Sequence, residues 1–164
     1  MDKKKVKLAF VRMLSDQGYT HAITLKPNDH GFGRSCEALH RLFVKVHMLV
    51  DRALLGSRFN LPNRAPLRSL AVGIVEGLPH TGHVHGAFRI AEPHWEKFES
   101  LFADGSSKGG RHGIWRTLVP NGTSEVVRIT SSEGWHNYSL KNVWEVNDSD
   151  RMLFLPFPVG EAVG

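Results

Sequence analysis

The chain has 164 residues, 41% of them hydrophobic and 23% charged, a balance that suits one globular domain over 1–164 and excludes disordered and fibrous classes. A formal net charge of +5 tilts the partner toward a polyanion, nucleic acid first. The single cysteine, Cys36, rules out an internal disulfide and any multi-cysteine zinc site.

In chain order, residues 20–27 form a β-rich run stopped by Pro27 and the turn residues Asn28 and Asp29. Ser35 is placed to cap a helix with Glu37 in its first turn. From there to about Arg58, Leu39, Leu42, Phe43, Val46, Leu49, Val50, Ala53 and Leu54 recur at helical spacing, and Cys36 is expected to be a small buried residue on that helix. Residues 60–68, with two prolines, read as loop. Residues 69–76 are apolar enough for a central strand, 77–82 carry turn chemistry, and 83–90 return as the second strand of a hairpin. Glu92 and Pro93 open a helix with Trp95, Phe98, Leu101 and Phe102 on it. A surface loop over 105–113 follows, then two strands at 114–119 and 124–130 across a turn at Asn121 and Gly122. Ser131 or Ser132 caps a last helix over about 133–146, and 151–159 docks as an edge strand or extended tail. The order β-α-β-β-α-β-β-α predicts the α+β class, a central antiparallel sheet with flanking helices.

No run of about 18 apolar residues is present, so no membrane span is expected. The basic start of the chain leads into an apolar stretch broken by Lys7 and Arg12, with no small-residue cleavage site behind it. The expectation is a soluble, cytoplasmic protein.

Strand residues two apart share a face, so His83 and His85 can offer two imidazoles to one cation while Val84 points into the core. Gly86 next to them would let a neighbouring backbone or a substrate come close. Glu76, at the end of the partner strand, can add a carboxylate. That donor set leaves open positions for phosphate and water and suits Mn²⁺, Mg²⁺ or Zn²⁺. In a chain with ten histidines the pair alone reads sooner as two strand histidines bonded to neighbours, and adding Glu76 brings the two readings level.

Tyr138 and Lys141 are three apart on the last helix and share a face. A phenol with an ordinary pKa near 10 attacks poorly at neutral pH, and a nearby ammonium favours the phenolate. The alternative is a ring packed on the sheet beside a solvated lysine.

Three segments in this order resemble the HUH endonuclease superfamily, which includes the rolling-circle replication initiators. They are the Thr24–Leu25 strand, the His83–Val84–His85 strand, and the Tyr138-x-x-Lys141 helix. Residues 72–77 resemble the family strand that carries an acidic third ligand. The resemblance implies a ferredoxin-like (RRM-like) sheet holding one divalent ion through His83, His85 and Glu76. It also implies Tyr138 as the nucleophile, helped by Lys141, cutting single-stranded DNA at an origin or hairpin to a 5′-phosphotyrosine and a 3′-hydroxyl. No G-x-x-x-x-G-K-[ST] occurs, so a helicase and polymerase would come from the host of a plasmid or phage. Arg34, Arg41, Lys108 and Arg111 are candidate DNA contacts, with Lys45, Arg58, Arg64 and Arg68 behind them. A single-tyrosine transposase or relaxase, or a catalytically silent DNA-binding relative, shares these features.

Overall fold

A computed structural model describes residues 8, 9, 12, 15–29, 31, 35–105, 111–130 and 149–156. The elements are β1 (His21–Lys26), α1 (Cys36–Leu55), β2 (Leu70–Glu76), β3 (His83–Arg89), α2 (Trp95–Ser100), α3 (Ile114–Leu118), β4 (Thr123–Arg128) and β5 (Met152–Leu155). The strands form one antiparallel sheet in the order β4-β1-β3-β2-β5. Its first four strands give the ferredoxin-like βαββαβ arrangement, with β5 added at the edge beyond β2. The protein is α+β.

Helix α1 forms where the apolar stripe predicts. The Ser35 hydroxyl accepts from the Ala38 N–H at 3.1 Å, and Gly56, at φ +89°, closes the last turn by donating to the Arg52 carbonyl at 2.9 Å. Leu39, Leu42, Phe43, Val46 and Val50 are buried against Ile23, Leu25, Val75, Val84 and Phe88 on one face of the sheet. Cys36 begins this helix only partly buried, its thiol 3.4 Å from the Asp150 carbonyl.

Gly73 and Gly86 lie directly opposite each other on β2 and β3. Together they leave a hollow that the Phe43 ring fills: a Cβ on Gly73 would lie 2.7 Å from that ring, and one on Gly86 3.1 Å from it. The close neighbour that Gly86 admits is therefore this helix side chain, on the core face, and not a substrate. The pleat then turns His85 to the opposite face.

Two polar residues also sit on the buried stripe of α1. The Asp51 carboxylate accepts from the Ser69 N–H (2.9 Å), the Ser69 hydroxyl (2.7 Å) and Arg68 Nε (2.7 Å). His47 Nε2 donates to the Ser69 carbonyl at 2.9 Å. Both side chains are almost fully buried, and both are satisfied, which removes the penalty an unpaired group would carry there. The clamp fixes the residue at which β2 begins.

Two segments differ from the sequence reading. Residues 114–119 are helical in α3 and not a strand: Trp115 and Val119, four apart, are both buried while Thr117 is exposed. Strand alternation would have buried all three. The Trp115 indole N–H donates to the Lys26 carbonyl at 3.0 Å and ties this short helix to the end of β1. The proline segment at 60–68 contains a 3-10 helix, Pro62–Leu67, with Pro62 in its first turn. The tail pairs with β2 as the edge strand β5. The helix expected over 133–146 lies outside the described residues. Among those described, no helix is long and apolar enough to cross a membrane.

Gly73→Ala drives a methyl into the Phe43 ring and is expected to cost about 1–3 kcal/mol, read as a lower urea midpoint. Burial lowers the His47 pKa below its ordinary 6.5, against the opposing pull of Asp51. The unfolded chain therefore takes up this proton first. The stabilising contribution is complete above pH 6.5 and is lost as pH falls below it. Urea midpoints between pH 7.5 and 5 should show the loss, and His47→Gln, which keeps a donor for Ser69, should flatten that part of the curve.

Candidate metal centre

The hairpin register builds the site. Glu76 lies directly opposite His83, and His85 is paired with Ile74, so Glu76 is the diagonal neighbour of His85 on the same face. The turn between the strands opens with Gly77 at φ +74°, where a Cβ would collide with the backbone of Thr81. The Thr81 N–H closes this turn on the Gly77 carbonyl at 2.8 Å. The turn thus delivers His83 opposite Glu76.

His83 Nε2 and His85 Nε2 stand 3.2 Å apart, and Glu76 Oε2 is 3.7 Å from the first and 3.4 Å from the second. One ligand atom from each residue lies within 4.8 Å of the others. The outer nitrogen of each imidazole is occupied. His83 Nδ1 donates to the Thr81 carbonyl at 2.8 Å, and His85 Nδ1 meets the Thr24 hydroxyl at 3.2 Å. A carbonyl can only accept, so the neutral His83 ring carries its proton on Nδ1 and presents a lone pair at Nε2. Such second-shell bonds fix imidazole orientation in metal sites.

The electrostatics match this geometry. Glu76 raises the His83 pKa against the opposing effect of burial. Burial lowers that of His85, with Glu76 pulling the other way. The two Nε2 atoms stand beside a buried carboxylate, and His85, whose Nδ1 can accept from the Thr24 hydroxyl, can donate from Nε2 within this group. Two borderline nitrogens and one hard oxygen, half-shielded from water, fit a divalent transition ion. Glu76, His83 and His85 are the residues that would hold it.

The structure brings together the three residues expected to ligate. Tyr138, Lys141, Arg34 and Lys108 lie outside the described residues. Arg41 is carried by α1 on the far side of the sheet and is ion-paired with Glu37. Arg111 lines a separate groove with Lys97 and His112, and Arg68 is committed to the Asp51 clamp. Tyr19, the other tyrosine of the chain, packs with Val72, Ile74 and Ala87 beside the triad. Burial pushes its phenol up to about 12, despite the nearby Arg89.

Sequence reasoning missed Thr24 and Thr81 as orienting groups and Lys26 as a neighbouring charge. Thr24 and Lys26 alternate on β1 onto the histidine face, a period-2 signal that was there to be used. The Thr81 contact depends on the turn geometry, which the sequence does not specify.

Fold and site together define a small α+β protein of ferredoxin-like topology with a candidate metal triad on two central strands. No protein-family model, no curated protein and no solved structure matches the chain.

Thr24→Val keeps the β-branched shape and removes the hydroxyl behind His85. It is expected to weaken Mn²⁺ binding about 10–100-fold by calorimetric titration with little change in the unfolding midpoint. Equal affinity in the variant would mean that Thr24 does not orient the ligand.

Proposed function

We propose that this chain is a metal-dependent single-stranded DNA nickase of HUH type, acting as a rolling-circle replication initiator. The observation that supports the reading most is the meeting of Glu76, His83 and His85 on adjacent central strands of a ferredoxin-like sheet. The triad follows from a hairpin register and not from the abundance of histidine. The chain's +5 charge agrees with a polyanionic substrate.

A divalent ion in the triad, Mn²⁺ or Mg²⁺ with Zn²⁺ as the third choice, would polarise the scissile phosphate and offset the charge that develops on it. The chain's own residues do the rest. His83, His85 and Glu76 hold their ligand atoms at fixed positions on strands, so no reorganisation is needed when substrate arrives. Tyr138 supplies the nucleophile: its phenolic oxygen bonds to phosphorus as the bond to the 3′ oxygen breaks. The phenolic proton is balanced by the one that the departing 3′-hydroxyl takes up. Lys141, three residues further on in the sequence, favours the phenolate and offsets charge on the phosphate. The covalent 5′-phosphotyrosine keeps the energy of the broken bond for rejoining.

The test is a denaturing gel of protein incubated with end-labelled single-stranded oligonucleotides drawn from hairpin-containing origins, with Mn²⁺ present. A covalent protein–DNA adduct is expected from the wild type, lost on chelation, in His85→Ala and in Tyr138→Phe. Continued adduct formation by Tyr138→Phe would remove the nucleophile assignment, and adduct formation in chelator would remove the metal.

A further inference from the structure

Beside the triad, between the end of β1 and the turn joining β2 to β3, lies a cleft of about 430 Å³. It is lined by Lys26, Asn28, Asp29, His80, Thr81, Gly82 and His83. His83 therefore belongs both to the metal triad and to the cleft wall. Two of the polar groups are already committed. The Asn28 amide donates to the Asn121 carbonyl at 3.2 Å and to the Thr123 hydroxyl at 3.0 Å, and Asp29 Oδ1 accepts from the Gly31 N–H at 2.9 Å. Lys26 is different. It is the last residue of β1, exposed, and alternates onto the histidine face with Thr24. Among the described residues no carboxylate forms an ion pair with it.

A lysine at this point works against a cation site. Its ammonium shares the cleft with His83, so its positive charge opposes that of a cation held there. A residue that only built the metal centre would not carry that charge, and a residue that recognises what the metal centre acts on would. A phosphodiester oxygen bound at the ion would lie beside His83, which lines the cleft together with Lys26, and an ammonium suits phosphate as a point charge.

Resting on the nickase reading above, we propose that Lys26 and this cleft hold a backbone phosphate of single-stranded DNA next to the metal centre, making Lys26 a substrate-binding residue. Like-charge repulsion and phosphate attraction then give its removal opposite signs. Lys26→Met should bind Mn²⁺ no more weakly than wild type while binding single-stranded DNA less well.

The experiment pairs calorimetric titration of Mn²⁺ with fluorescence anisotropy of a labelled single-stranded oligonucleotide, with and without Mn²⁺, across a salt series. For Lys26→Met the expected result is undiminished Mn²⁺ affinity and oligonucleotide affinity lower on the order of tenfold, the size of one charge-assisted contact. The slope of log affinity against log salt should fall by about 0.7. Lys26→Arg should restore most of the binding. Unchanged oligonucleotide affinity and salt slope in Lys26→Met would overturn the inference, as would loss of Mn²⁺ binding together with it. The two readings fail separately. A wild type that nicks with Mn²⁺ but is indifferent to Lys26 retires this inference alone. A Lys26-dependent binder that takes no Mn²⁺ retires the metal-dependent nickase and leaves the cleft. A wild type that binds no oligonucleotide overturns both.

Discussion

The site depends on one constraint, the pairing of Glu76 with His83 across the β2–β3 hairpin. Side chains alternate along a strand, so a slip of one residue would turn both histidines into the core and bring Val84 out. Several independent features forbid the slip. Gly73 and Gly86 must be opposite each other to make room for Phe43, and no other residue pair in the two strands offers that hollow. Val75 and Val84 pair on the core face. The Asp51–Ser69 clamp sets where β2 starts, and Gly77 sets where it must stop. The core side of the hairpin thus determines the chemistry on its other side.

That arrangement separates the groups that stabilise from the groups that serve the site. His47 and Asp51 lie on the α1 side, where every polar atom has a protein partner and burial favours the neutral imidazole. His83 and His85 lie on the other side, with their Nδ1 atoms anchored and their Nε2 atoms aimed at each other. Two imidazoles and a carboxylate each bring one ligand atom within 4.8 Å of the others, a donor set with the composition of a divalent-ion site.

Much of this was legible in the sequence because it is carried by periodicity. The 3.6-residue stripe of α1 and the alternation of 83–85 each read directly as a face. The Glu76 prediction needed only the assumption of a short hairpin. What could not be read depends on long-range contacts. Trp115 and Val119 fit a short buried strand as well as a short helix, and only docking of the indole on the Lys26 carbonyl decides between them. The role of Gly86 was legible as close approach but not as to which face, because its neighbour Phe43 is distant in sequence. His47 and Asp51, four apart on an apolar stripe, carried a signal of buried polarity, yet their partner Ser69 became evident only in the folded chain.

Under the proposed function, the division between strand-borne ligands and a nucleophile elsewhere in the chain has a physical logic. Metal ligands gain from rigidity: all three lie on the paired strands β2 and β3, and His85 is paired on both sides, with Thr24 and with Ile74. A nucleophile that forms and later releases a covalent bond gains from being on a different element, which can move without disturbing the ion. Lys26 then occupies a place where its charge serves the substrate while opposing the ion. It is the last residue of β1 and lines the cleft together with the ligand His83. At such a spot the repulsion it imposes on the ion persists only until a phosphate, carrying the opposite charge, lies against both.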